Sequence, residues 1–366
     1  MGCFDREACV NFCLVFTLVF FVCLVNVLSN INRTSETPCV YARSHARRVA
    51  VCVVGHLRGE NEDVCRSFID FVRTPLRAHV FVATTREYAR ASRCYLPMAT
   101  DVYVGDLEDM DAVLRTRTAH EIAALQAMIR YYSLYVGNFL GGAMLLETGE
   151  RVHDSMLIRN FYHEHCHRMI RRHEHATGRR YDAIVLTRSE FLWLAPHPWP
   201  LPLAGARVYI PGGMDWYGLN DRHILMSRAA APSVLRRFNE TAAGRWPRQC
   251  PTDTSPYYYM NGSMVSINAH LHSSEIFHLC ELLADAIAIH RFEPRAFATC
   301  TSANETFVRA FRNCTQLPLS SPFLPTNTVV FKYQNELHNA LATRALMRRR
   351  NSFCEPLLID NYSSYA

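Results

Sequence analysis

The sequence predicts an α/β fold: a mostly parallel, Rossmann-like sheet with helices on its flanks. Three observations carry this. Short apolar runs, among them Arg48–Val54 (RVAVCVV), Ala78–Ala83 (AHVFVA) and Ala183–Leu186, recur at intervals long enough to hold a helix. Strands buried on both faces read as continuous apolar runs, and parallel neighbours need a crossover between them. The runs also stop at glycine or charged turns, where open α/β sheets carry their chemistry.

The elements follow in order. The first strand, Arg48–Val54, ends in the turn Gly55-His56-Leu57-Arg58-Gly59, and a helix is predicted over Glu62–Phe71. Ala78–Ala83 and Asp101–Val104 are the next strands. Thr118–Phe139 places Ile122, Leu125, Ile129, Tyr132 and Val136 on one helical face, and Gly141-Gly142 breaks it. Met156–Ala176 is a helix dense in His and Arg, stopped by Gly178. Ala183–Leu186 runs into Arg188-Ser189-Glu190. After a Pro-rich loop, Arg207–Pro211 runs into a Gly-rich turn holding Asp215, Asn220 and Asp221. Ile224–Ser227 is a short strand, and Pro232–Glu240 a helix opened by proline. Ser273–Ala286 is a helix with Ser-Ser-Glu at its start, followed by a strand over Ala286–Phe292. The segment 318–366 is expected to be irregular.

Composition bounds the partners. The 366 residues are 49% hydrophobic and 20% charged, with a formal net charge of +6, enough for one large core. Lys332 is the only lysine. The arginines are dispersed, and no basic stripe carries interleaved aromatics, so no nucleic-acid partner is expected. A sulfotransferase needs a phosphate-loop lysine, and a serine hydrolase of the G-x-S-x-G kind needs that motif; neither feature is present.

Residues 8–28 are almost wholly apolar, long enough to span a bilayer. They are expected to be a signal anchor behind a short tail (1–7), followed by a stem (29–47); cleavage after Ser29 is the alternative. Six N-x-S/T sequons, at Asn32, Asn239, Asn261, Asn304, Asn313 and Asn361, favour a lumenal address in the Golgi or endoplasmic reticulum. Cys3 and Cys9 are candidates for lipidation. Ten cysteines remain beyond the apolar segment, an even number that suggests several disulfides in an oxidising lumen, with no CxxC pair among them.

Taken together, Gly55-His56-Leu57-Arg58, Tyr181-Asp182 with Arg188-Ser189-Glu190, Val208–Arg222, Ser274-Glu275 and Arg291-Phe292 form an ordered set. It resembles membrane-anchored glycosyltransferase-like proteins of the GT-A type, over roughly Val49–Phe292. The resemblance implies a GT-A-like catalytic domain over 48–317. Its partners would be a nucleotide-sugar donor and a glycan or glycoprotein acceptor. Gly55, His56, Arg58, Arg188, Asp215, Asn220 and Arg222 would serve donor binding. Asp221 and Glu275 would be catalytic. Mn²⁺ or Mg²⁺, which favour oxygen ligands, would sit on Glu190 and Asp215. Position 190 is Glu where the family pattern has Asp.

Plainer readings stand beside these. Gly55 suits a tight turn, Arg188 and Glu190 a structural ion pair, and Asp215, Asn220 and Asp221 a local turn. Glu275 suits a capping box with Ser273 or Ser274. Two other functions are open: a non-catalytic glycan-binding protein of the same fold, and a zinc peptidase. The latter follows from His163-Glu164-His165-Cys166-His167, which matches H-E-x-x-H: two ligands four residues apart on one helical face, with Glu164 as base. Ile170 replaces the glycine that should turn the chain before a third ligand. On a continuing helix His173 rotates off the two-His face. The plain alternative is a solvated helix face.

Overall fold

The computed structural model describes residues 48–57, 62–133, 140–152, 156–199, 201–212, 219–244, 257–260, 263–266, 274–292, 295–298, 315–317 and 329–331. All lie in one compact unit, Tyr41–Ala366. The tail, the apolar segment 8–28 and the stem fall outside these residues. So do Arg58, Asp215 and every sequon asparagine except Asn239. Among the described residues no helix is long and apolar enough to cross a membrane.

A seven-stranded sheet organises the fold. In chain order its strands are β1 (Val49–Val54), β2 (His79–Thr84), β3 (Asp101–Val104), β4 (Ala183–Thr187), β6 (Arg207–Pro211), β7 (Ile224–Ser227) and β10 (Ala288–Phe292). Between β4 and β6 comes β5 (Phe191–Trp193), and β8 (Tyr257–Met260) and β9 (Ser263–Ser266) form a separate hairpin. The sheet order is β10-β6-β7-β4-β1-β2-β3. Pairing is parallel from β4 through β1 and β2 to β3, and between β6 and β10. Only β7 runs against its neighbours, antiparallel to both β4 and β6. The mostly parallel sheet is therefore as expected, with one reversed strand inside it. This reversal has a consequence for the site, because the start of β7 lies among the C-terminal ends of the strands around it.

The helices are α1 (Glu62–Phe68, prolonged by a π-helical turn Ile69–Arg73 and by Thr74–Leu76), α2 (Arg86–Ala91), α3 (Tyr95–Met98), α4 (Leu107–Arg115), α5 (Ala119–Ser133), α6 (Met156–Thr177), α7 (Ala231–Leu235), α8 (Arg237–Ala242) and α9 (Ser274–Ala284). Local chemistry fixes several ends. Thr118 and Glu121 exchange side-chain and backbone bonds at the start of α5, Thr118 N–H donating to Glu121 at 3.1 Å and Glu121 N–H to Thr118 Oγ1 at 3.2 Å. Gly178, at φ +66, ends α6 in the left-handed region. The single helix expected over Pro232–Glu240 is two, α7 and α8, broken where Arg236 leaves helical geometry (φ −99, ψ 9).

Because side chains alternate along a strand, β1 feeds two cores. Ala50, Cys52 and Val54 face Leu157, Phe161 and Met169 of α6; Val49, Val51 and Val53 face Val64 and Phe68 of α1 together with Trp193 of β5. Burying each large apolar side chain contributes about 1.5–3 kcal/mol. The result is a three-layer sandwich. β5 lies inside the loop expected to be merely Pro-rich, pairs with β11 (Ala296–Ala298) and is fully buried. Beyond it, β12 (Thr315–Leu317) pairs with β13 (Val329–Phe331), a strand inside the segment expected to be irregular.

Two disulfides are described. Cys52–Cys166 ties the central strand β1 to α6, and Cys65–Cys94 ties α1 to the residue before α3. Cys280 of α9 is also disulfide-bonded.

Candidate functional site

The parallel register of β1 and β4 sets Val53 beside Thr187, so the turns after the two strands meet. Gly55 sits at φ +94, a conformation that favours glycine, and its N–H donates to Ala83 O at 2.9 Å. Ser189 then bridges the two turns: its Oγ donates to His56 O at 3.0 Å, and its own carbonyl accepts from the Tyr95 hydroxyl at 3.0 Å. His56 stacks on Tyr88 with centroids 4.9 Å apart. Arg188 and Glu190, on either side of Ser189, are in ion-pair contact at 2.6 Å.

Because β7 is reversed, Asn220-Asp221-Arg222-His223 enters the same edge. Asn220 Oδ1 accepts from Arg222 N at 2.9 Å and from Arg222 Nε at 3.3 Å, a local turn held by its own side chain. Asp221 is buried and accepts from Arg159 Nη2, in the first turn of α6, at 2.8 Å. Thus the structure brings together Gly55, His56, Arg188, Glu190, Asn220, Asp221 and Arg222. Glu275 occupies the first turn of α9. Arg58 and Asp215 lie outside the described residues.

Three residues absent from the sequence expectation join this edge: Arg159, Arg237 and His278. All sit on helices, and His278 and Arg237 are fully buried. The sequence carried little signal for them: each has a polar residue three or four positions away on its helix, His163 for Arg159, Glu240 for Arg237 and Glu281 for His278. Such a position is ordinarily solvent-facing, and here tertiary packing covers it. Burial pushes the His163 and His278 rings well below the usual histidine range. The charges that add to this are cationic: Arg237, Arg159, His278 and Arg188 for His163, and Arg237, Arg159 and Arg291 for His278. Among the described residues, neither nitrogen of either ring has a hydrogen-bond partner, nor does Arg159 Nε. Arg291 reaches the region from β10, with its Nη1 3.4 Å from Pro211 O.

The H-E-x-x-H helix separates its histidines by role. His163 belongs to the cationic cluster. His167 is buried, pushed to about 4 by burial and by Arg228 and Arg236. His165 stacks on Tyr103 at 3.4 Å between centroids, and His173 bonds through Nδ1 to the Tyr181 hydroxyl at 2.8 Å. Glu164 accepts from Arg168 Nε at 3.0 Å. This helix face is therefore not solvated, contrary to the plain expectation. Guanidinium groups beside His163 and His167 oppose a further cation there.

The same test applies to Mn²⁺ or Mg²⁺. Glu190 is already in contact with Arg188 and Asp221 with Arg159, so a metal at either must displace a guanidinium. Among the described residues no group of three or more His, Cys, Asp or Glu side chains is arranged to hold a metal. The described donor set does not fit a divalent cation as it stands; Asp215, the other expected ligand, is not among it.

A separate aromatic and imidazole cluster lies under the site. His223 packs against Trp193 (5.0 Å), His197 (5.2 Å) and Phe292 (5.9 Å), and burial lowers it to about 3. Asn239, the one described sequon asparagine, is on α8 and accepts from Arg117 at 2.7 Å, a packed rather than an open position.

Neither protein-family models nor curated proteins match this chain.

Proposed function

We propose that this chain is a nucleotide-sugar-dependent glycosyltransferase with a GT-A-like domain, anchored as a type II protein facing the Golgi or endoplasmic reticulum lumen. One observation carries the reading: the reversed strand β7 delivers Asn220-Asp221-Arg222 to the edge where β1 and β4 deliver Gly55-His56 and Arg188-Ser189-Glu190. Polar groups from three separated stretches of chain thus meet at the carboxyl edge of an α/β sheet, where such folds bind ligands.

The chemistry asked of this edge is a single displacement at an anomeric carbon. An acceptor hydroxyl oxygen forms the new C–O bond as the bond from the anomeric carbon to the diphosphate oxygen breaks. The diphosphate leaves with the electron pair, and the hydroxyl proton passes to a base or to water. Charge builds on the leaving diphosphate, so fixed positive groups beside it lower the barrier. Arg159 and Arg188, which remain partly open to solvent, would serve that task. Asp221 has one oxygen committed to Arg159, which suits holding that guanidinium or gripping a sugar hydroxyl better than taking a proton. Glu275, in the first turn of α9, is the candidate base.

The test is turnover. The full chain is incubated with a panel of nucleotide sugars and a mixed glycoprotein acceptor, and free nucleoside diphosphate is measured. Acceptor-stimulated release is expected from at least one donor. Donor binding without release would instead identify a glycan- or nucleotide-binding module. Peptide hydrolysis lost in Glu164→Gln would replace the transferase with the zinc peptidase.

A further inference from the structure

We propose that Arg159, His163, Arg188, Arg237, His278 and Arg291 form an anion cradle that holds the donor's diphosphate directly, with no bridging divalent cation. The inference rests on the transferase reading and names how that site meets its charged substrate.

The argument begins with what α6 brings to the edge. Arg159 and His163 are one turn apart on the same face, as residues four apart on a helix must be. α6 packs on α7 and α8, and α7 on α9, and Arg237 and His278 lie near enough to His163 to act electrostatically on its ring. Arg188 comes from the end of β4 and Arg291 from β10, the strand that pairs with β6 next to β7. Four guanidiniums from four elements thus converge. Among the described residues, Asp221 pairs with Arg159 and Glu190 with Arg188. Burial keeps both imidazoles neutral, so they add N–H donors rather than charge.

A purely structural cluster would be expected to satisfy its own polar atoms, since nearly all buried polar groups in native proteins are hydrogen-bonded. This one does not. Both nitrogens of His163, both of His278 and Arg159 Nε have no partner. Each neutral ring has one N–H that lacks an acceptor, as does the Arg159 Nε–H, among the described residues. A diphosphate is rich in acceptor oxygens, and guanidinium forks match its geometry. A divalent cation would meet the opposite situation, with like charges and carboxylates already engaged. Solvent reaches this edge at Arg159 and Arg188, whose side chains are 18% and 24% exposed, while His163, Arg237, His278 and Arg291 are buried.

The experiment is a thermal-shift and calorimetric titration of the full chain with inorganic pyrophosphate and with a uridine or guanosine diphosphate. Each is run in excess chelator and again with Mn²⁺, at matched ionic strength. Two variants accompany it. Arg159→Gln with Asp221→Asn removes both charges of the pair while retaining polar contacts, and His278→Leu replaces an unpartnered ring with an apolar side chain of similar bulk. Circular dichroism verifies that both fold. Binding in chelator, weakened at least tenfold in each variant, is the expected result. Binding only with Mn²⁺ overturns the cradle and leaves the transferase standing. Metal-free binding that neither variant weakens overturns the assignment of these residues. No binding of either ligand under either condition overturns the cradle and the transferase reading together.

Discussion

Helix α6 is bracketed by two ion pairs of opposite sense, and their difference locates the working end of the molecule. At one end Arg159 donates to Asp221, just before β7; at the other Glu174 accepts from Arg228, just after it. The lengths match. Arg159 to Glu174 spans about 22 Å of helix at 1.5 Å per residue, and Asp221 to Arg228 about 23 Å of strand at 3.3 Å per residue. The Glu174 end is closed: Arg228 donates through Nε at 2.9 Å and Nη2 at 2.8 Å, and Tyr181 N–H adds a third bond at 3.0 Å. These partners hold the Glu174 carboxyl below its ordinary value despite the opposing effect of its burial. The Asp221 end is open in the hydrogen-bonding sense: one contact from Arg159, an unpartnered Nε, and two unpartnered imidazoles behind it. One pair is complete and the other leaves donors unmet among the described residues, which is the difference the proposed donor site rests on.

That contrast can be broken in several ways. The largest expected effect comes from the crosslink between the two ends. Cys52→Ala with Cys166→Ala opens a link across 114 residues and is expected to lower stability by about 4–5 kcal/mol, against about 3–4 for Cys65→Ala with Cys94→Ala across 29. Urea denaturation measures both, and the order of the two losses is the sharper test. Next is the closed pair. Arg228→Ala should cost about 3–5 kcal/mol as a broken buried ion pair, somewhat less because Arg228 keeps some water contact, and should leave nucleotide affinity unchanged. Asp221→Asn should do the reverse, with the smaller loss in denaturation and the larger in donor affinity.

A finer comparison uses two histidines of the same helix. His173→Leu removes the bond to the Tyr181 hydroxyl and should cost about 1 kcal/mol, the usual net worth of a hydrogen bond. His163→Leu removes ring nitrogens that bond to nothing, so melting should hold steady or rise while diphosphate binding is lost. A further comparison is in pH. His165 and His167 are held near 4 when folded and return to about 6.5 when unfolded. The unfolded chain therefore binds more protons between these values. Their stabilisation is complete above about pH 6.5 and is lost as pH falls toward 4. A melting series from pH 7.5 to 4.5 should decline steadily, by about 2–4 °C for each kcal/mol in a domain of some 150–250 residues. Replacing His167 by Leu should flatten the upper part of that curve.

The strands were legible in the sequence because burial on both faces leaves an unmistakable apolar run. Arg207–Pro211 and Ile224–Ser227 fall where that pattern puts them, and the half-exposed edge strand Asp101–Val104 also lies where it is expected. Gly178 likewise marks the end of α6. The direction of β7 was not legible, since a four-residue apolar strand reads the same either way; the length of the turn before it was the only hint. β5 was hidden by the prolines around it. At the site, residues in turns were visible because Gly, Asn and Asp announce turns. Arg159, Arg237 and His278 were not, because a basic residue on a helix looks solvent-facing until three helices close over it. The H-E-x-x-H match shows the converse. Spacing alone placed two imidazoles on one face, but which charges surround them depended on Arg237, Arg159 and Arg228 from elsewhere in the fold.

The most direct measurement is amide hydrogen exchange of the full chain with and without a nucleoside diphosphate. Protection should increase at Gly55–Leu57, Thr187–Glu190, Asn220–His223 and the first two turns of α6, with no change around Glu174, Tyr181 and Arg228. Protection confined to the Glu174 end, or none anywhere at saturating nucleotide, would contradict the account.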